Sequence, residues 1–253
     1  ADFNNDGKLE AVYVGDLDGR LYKMDLTNNI PSTWTLSAIY TDFLYYPIIT
    51  KPAVWMDPFA TSPTPRIYFG TGGDEGAPSN RQYSFVGLID NGAATATVEW
   101  YIGNRTVLQL PAASQAGDKV NGLGVGYKVW ADPVVSDYTI YFSTLPGSIE
   151  AVDPCANLTG AGLLYARIVR PGSAGNPVGG TALKTAAVVP PENLQMASKA
   201  RRAVTVGDVA QSGGVNKREI FIQEYNSTIE MLEHPIGSLL QIKSWREVYR
   251  VIR

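Results

Sequence analysis

The chain of 253 residues carries 21 Lys+Arg against 24 Asp+Glu, a formal net charge of −3. That length supports one well-cored domain, and the lack of a Lys/Arg cluster excludes a protein that tracks nucleic-acid phosphates. A single cysteine, Cys155, and a single histidine, His234, exclude a Cys/His zinc site and a disulfide framework built within the chain.

In chain order, the first signal is Asp2-Phe-Asn4-Asn-Asp6-Gly7-Lys8-Leu-Glu10. Calcium takes about six to eight oxygen ligands at ~2.3–2.6 Å. Side-chain oxygens at alternate positions converge on one point when a chain winds tightly, here those of Asp2, Asn4 and Asp6. Gly7 falls where the sharp turn needs a residue without Cβ, and Lys8 offers its backbone carbonyl. The spacing is that of the first half of an EF-hand loop. The second half departs from it: Tyr13 stands where the closing Glu belongs, and Glu10 is the natural substitute. An all-oxygen donor set disfavours zinc and copper. The competing reading is a metal-free turn rich in Asp and Asn.

Four stretches that resemble one another follow. Glu10–Asp25 comes first, with Val12 and Val14 on one face and Ala11 and Tyr13 on the other. The turn Gly15-Asp-Leu-Asp-Gly19 supplies the positive-φ residues of a tight antiparallel hairpin. The second repeat runs Arg66–Gly73 and resumes at Phe85–Asp90; the third is Thr139–Asp153; the fourth is Glu219–Met231. Each pairs a β-branched or aromatic strand with a second strand, often closed by Asp. Between them, Ile48–Val54, Lys128–Val135 and Ala203–Gly207 are expected to form inner strands. Asn104–Asn121 and Pro171–Lys199, rich in Gly, Ala, Pro and Ser, are expected to be long surface loops, with one short helix over Pro191–Arg202. Arg201-Arg202 is expected to be a solvated pair, His234 a surface residue, and Trp245 to close the last sheet.

Repeats starting roughly 55 to 80 residues apart are a loose version of a propeller's blade period. The expected fold is a single all-β domain over 1–253, a β-propeller type present as an incomplete arc of about four to five blades. The chain opens inside a motif, which suggests a processed chain or the carboxy-terminal part of a larger protein. No run of about 18 apolar residues marks a membrane-spanning helix.

The metal loop and the block Ala11–Leu26 resemble the carboxy-terminal domain of the PilY/PilC family of type IV pilus biogenesis factors. Ile48–Val54, Ile67–Gly72, Ile140–Thr144 and Lys243–Val248 follow in that family's order. The resemblance implies a modified, quinoprotein-like β-propeller that is exported through the periplasm to the pilus tip at the cell surface. It implies adhesion, a part in pilus extension and retraction, and Ca2+ as regulator. It also implies minor pilins of the tip complex as partners, with host or abiotic surfaces as further ligands. Carried over position by position, the family's calcium ligands fall on Asp2, Asn4, Asp6, the Lys8 carbonyl and Glu10; the last is usually Asp in the family. The alternatives are a quinoprotein-like enzyme and a carbohydrate-binding propeller. One cysteine rules out the vicinal disulfide of the former, and Asp16, Asp74 and Asp132 show no pairing, so no catalytic residue is expected. Trp34, Trp55, Trp100 or Trp130 would serve the latter by stacking on sugar rings, against core packing as the plainer role.

Overall fold

Strand β1 (Ala11–Gly15) shows how the alternation resolves: Ala11 and Tyr13 are buried, Val12 and Val14 exposed. One face of the strand is covered and the other is not. The computed structural model describes residues 1–3, 6–56, 64–73, 80–102, 123, 125–136, 138–146, 163–169, 193–195, 201–212, 215–224 and 229–235. Among them lie fifteen strands and no α-helix.

The strands form four antiparallel sheets, each assembled from consecutive stretches of chain. The first sheet is β1, β2 (Arg20–Asp25) and β3 (Thr35–Thr41). The second is β4 (Ala53–Trp55), β5 (Arg66–Gly70), β6 (Phe85–Ile89) and β7 (Thr97–Ile102). In the third, β8 (Tyr127–Val129) and β9 (Val134–Ser136) both pair with β10 (Thr139–Pro146), which pairs with β11 (Leu163–Ile168) and so leads to β12 (Asn193–Gln195). The fourth is β13 (Arg201–Ser212), β14 (Val215–Glu224) and β15 (Ile229–Pro235).

The sheets stack in sequence order, and the second shows why. Every residue of β5 is buried, so both of its faces are covered. Ile67 and Phe69 face the first sheet in a core with Ala11, Tyr13, Leu21 and Ile39. Tyr68 faces the third sheet with Phe85, Trp100, Ile140, Phe142 and Tyr165. Aromatic rings run through that second core. Trp100 stacks on Tyr68 at 5.6 Å and on Phe85 at 5.8 Å; Phe85 stacks on Phe142 at 3.6 Å, and Phe142 on Tyr165 at 4.7 Å. Gly87 makes room for this column, because a Cβ there would lie 2.7 Å from the Trp100 ring. Strands β9 and β10 in turn touch β13 of the fourth sheet.

Several expectations shift against this frame. The helix over Pro191–Arg202 does not form at the residues described: Asn193–Gln195 is strand β12 and Arg201 opens β13. Leu194 pairs opposite Leu164, and β13 finds a long partner in β14, so ladder pairing overrides local propensity. The same strand β12 interrupts the expected loop Pro171–Lys199, whose other residues lie outside those described, as does Asn104–Asn121. Of Ile48–Val54 only Ala53 and Val54 are strand, and Lys128–Val135 divides between β8 and β9. Gly19 has the positive φ its turn requires, at 74°, whereas Gly15 does not. Gly15 is needed for space: a Cβ there would stand 2.3 Å from the Ile48 carbonyl oxygen. Cys155 and Trp245 lie outside the described residues.

Candidate functional site

The loop before β1 is tied down at both ends. Ala1 pairs with Ala11 in both directions, its amino group donating to the Ala11 carbonyl and the Ala11 N–H to the Ala1 carbonyl. Ala1 and Phe3 pack against the core shared by the first two sheets. Between these anchors the chain turns at Gly7, whose φ is +85°. Nothing lies within 4 Å of a Cβ built there, so glycine serves the backbone angle and not the space.

The turn brings Asp2, Asp6 and Glu10 together. One carboxylate oxygen from each lies within 4.8 Å of the others. At that spacing like charges oppose one another by about 1 to 3 kcal/mol per pair in a solvated loop. Part of this is offset by the backbone: Gly7 N–H donates to Asp2 Oδ2 at 2.9 Å, Lys8 N–H to Asp6 Oδ1 at 2.9 Å, and Phe3 N–H to Glu10 Oε2 at 2.6 Å. Asp2 Oδ1 is buried and has no hydrogen-bond partner among the described residues. A buried carboxylate oxygen without a donor is costly unless a cation meets it. The donor set is all oxygen, and it suits a hard divalent cation. Asn4 lies outside the described residues. Lys8 is exposed, and its N–H belongs to the turn.

A second polar cluster joins the first two sheets and was not legible beforehand. Asp90, 4% exposed, accepts the Tyr13 hydroxyl at 2.7 Å and the Gly92 N–H at 3.1 Å, and pairs with Lys23 Nζ at 2.7 Å. Burial pushes its carboxyl up, but the bonds from Lys23, Tyr13 and Gly92 outweigh this and hold it below the usual range. Burial first, then the bond to Asp90, pushes the Tyr13 phenol well up. Tyr13 lies three residues beyond Glu10, so the acidic loop runs directly into the strand that carries this cluster. The only signal in the sequence was the Asp that closes three of the four repeats. Asp25 behaves likewise, accepting Thr27 N–H and Oγ1 at the end of β2.

The other candidates have plain roles. Asp16 Oδ1 accepts the Arg20 N–H in the first hairpin, and Asp132 Oδ1 accepts the Lys51 N–H from the neighbouring sheet's chain. Asp74 lies outside the described residues. Trp100 is 1% exposed within the aromatic column, and Trp55 sits edge-on to Tyr138. Trp34 is exposed, its indole N–H held by the Asn28 carbonyl. His234 stands on β15 opposite Arg218.

No family model and no curated protein matches the chain. Among solved structures, it matches the crystal structure of the Pseudomonas aeruginosa PilY1 C-terminal domain, with a TM-score of 0.57. The fold is of that kind. The match covers 94% of this chain at 17% identity, and 60% of the PilY1 chain. At that identity the likeness concerns the fold, a propeller-like succession of antiparallel sheets.

Proposed function

We propose that this chain is a calcium-binding module of a type IV pilus tip, active in adhesion and pilus assembly, and not an enzyme. The observation that carries the reading is the convergence of Asp2, Asp6 and Glu10, with the buried Asp2 Oδ1 left open to a cation. The PilY1-like fold supplies the pilus context. In this reading Asp2, Asn4, Asp6, the Lys8 carbonyl and Glu10 hold the ion. Bound calcium neutralises crowded carboxylates and favours the wound form of the loop. Because Ala1 is hydrogen-bonded to Ala11 of β1, and the Glu10 carbonyl accepts from Leu26 just beyond β2, fixing the loop also fixes the edge of the first sheet. The module would act outside the cytoplasm, with pilus proteins and surface ligands as partners.

Calcium titration of the purified chain, with and without EGTA, tests this. Bound calcium measured calorimetrically, and a higher melting temperature in calcium, are expected for the unaltered chain. Asp6→Ala is expected to weaken binding at least tenfold, about 1.4 kcal/mol, while the calcium-free melting temperature stays within a few degrees. Unchanged affinity in Asp6→Ala, or no binding by the unaltered chain in millimolar calcium, would refute the site.

A further inference from the structure

Beyond Asp90 the chain turns through Asn91 and Gly92, both exposed, before it enters β7 at Thr97. An asparagine followed by glycine is a step at which a polypeptide readily reacts with itself, because no side chain shields the glycine nitrogen from the asparagine's own amide carbon. Gly92 has a φ of 78°, and nothing lies within 4 Å of a Cβ built there, so the turn is open around it.

Three hydrogen bonds hold the groups that would react. The Ala93 N–H donates to Asn91 Oδ1 at 3.1 Å, which closes a ring containing the Gly92 nitrogen and folds the side-chain amide over it. The Gly92 N–H donates to Asp90 Oδ1 at 3.1 Å. Asn91 Nδ2 donates to Thr97 Oγ1 at 3.2 Å across the turn. Each bond stands where ring closure needs it. A donor on Asn91 Oδ1 steadies the negative charge that builds on that oxygen. A carboxylate on the Gly92 N–H is a base for the proton the nitrogen must lose, and a hydroxyl beside Nδ2 is an acid for the departing nitrogen. Lys23 and the Tyr13 hydroxyl occupy Asp90 Oδ2, which leaves Oδ1 to Gly92.

We propose that Asn91–Gly92 is a self-modifying site, which loses ammonia to form a cyclic imide and takes up water to become aspartate or isoaspartate. The Gly92 nitrogen bonds to Asn91 Cγ as its proton passes to Asp90 Oδ1. The Cγ–Nδ2 bond then breaks, and Nδ2 leaves as ammonia with a proton from Thr97, which the proton on Asp90 replaces through solvent. No oxidation or reduction takes place. Water adds to either carbonyl of the imide and opens it. Both products carry a new carboxylate beside the Asp90–Lys23 pair, and isoaspartate also lengthens the main chain within a short turn. Both changes act against the joint between the first two sheets.

Peptide mapping by mass spectrometry, on the purified chain held at neutral pH, reads the conversion, and labelling by an isoaspartyl methyltransferase identifies isoaspartate. An end-blocked peptide of sequence 89–94 is the reference, since it has the same step without the fold. Conversion in the folded chain is expected to run about tenfold or more faster than in the peptide, and to fall to the peptide's rate in denaturant. Asp90→Asn and Thr97→Val are each expected to slow it by about tenfold. Thr97 is exposed, so its variant keeps the test sound if Asp90→Asn disturbs the sheet joint too far to fold. A folded chain that converts no faster than the peptide overturns the proposal. Equal rates in the unaltered chain and Thr97→Val also overturn it.

Discussion

Replacing Asp90 with Ala removes the acceptor that joins the first sheet to the second. The Tyr13 hydroxyl and the Gly92 N–H lose their partner, and Lys23, with its side chain only 18% exposed, loses its counter-charge. Hydrogen bonds to a charged group are worth about 1.5–3 kcal/mol each, and breaking a buried pair by deleting one member costs about 3–5 kcal/mol. The two figures agree, so the loss is set at about 3–5 kcal/mol. For a chain of this size that corresponds to a melting temperature lowered by about 6–20 °C. Differential scanning calorimetry on the unaltered chain and on Asp90→Ala reads it directly. A double-mutant cycle with Lys23→Met isolates the ion pair, since the second substitution removes the stranded charge. A drop of less than about 3 °C in Asp90→Ala, or strict additivity in the cycle, would refute the reasoning that this cluster holds the two sheets together.

The same carboxylate sets an expected pH dependence. Its folded pKa is depressed, so its contribution is complete above the ordinary carboxylate value of about 4 and is lost as pH falls through the folded value. Denaturant unfolding between pH 6 and pH 2 is expected to show a steeper acid decline in the unaltered chain than in Asp90→Asn; equal slopes would contradict this. Gly15→Ala places a Cβ 2.3 Å from the Ile48 carbonyl, and is expected to cost about 1–3 kcal/mol in chemical denaturation. Gly7→Ala has open space but a φ of +85°, so a cost of about 1–2 kcal/mol is expected, accompanied by weaker calcium binding. Phe142→Ala opens the aromatic column between Phe85 and Tyr165, and is expected to cost about 3–5 kcal/mol with loss of near-ultraviolet circular dichroism.

Local pattern was legible in the sequence and long-range partnership was not. The alternation in Ala11–Gly15 is written residue by residue, because a strand places successive side chains on opposite faces. Which face is covered depends on Ile67 and Phe69, more than fifty residues away, and no local signal carries that. The acidic loop was readable because its carboxylates lie within nine positions of one another in the chain, and Asp2, Asp6 and Glu10 do meet. Asp90 was visible only as a strand-closing residue. Its partner Tyr13 stands 77 positions earlier in the chain, a pairing no local pattern reveals. Gly15 was assigned to turn geometry when its true constraint is the approach of Ile48. The expected helix near Pro191 failed because Leu194 has a ladder partner in β11 that a propensity reading does not see.

Among the described residues, each sheet draws its strands from one uninterrupted portion of the chain, and ladder pairing stays inside it. Such an object is close to one-dimensional in its energetics: each unit owes its integrity to itself and to the unit on either side. A defect in the fourth sheet can reach the first only by way of the two between them. Synthesis in order from the amino end would complete one unit before the next is needed, so entanglement between distant segments has little opportunity to arise. Variation that lengthens the chain between units, or redraws one unit's outer strand, leaves its neighbours' hydrogen bonding untouched.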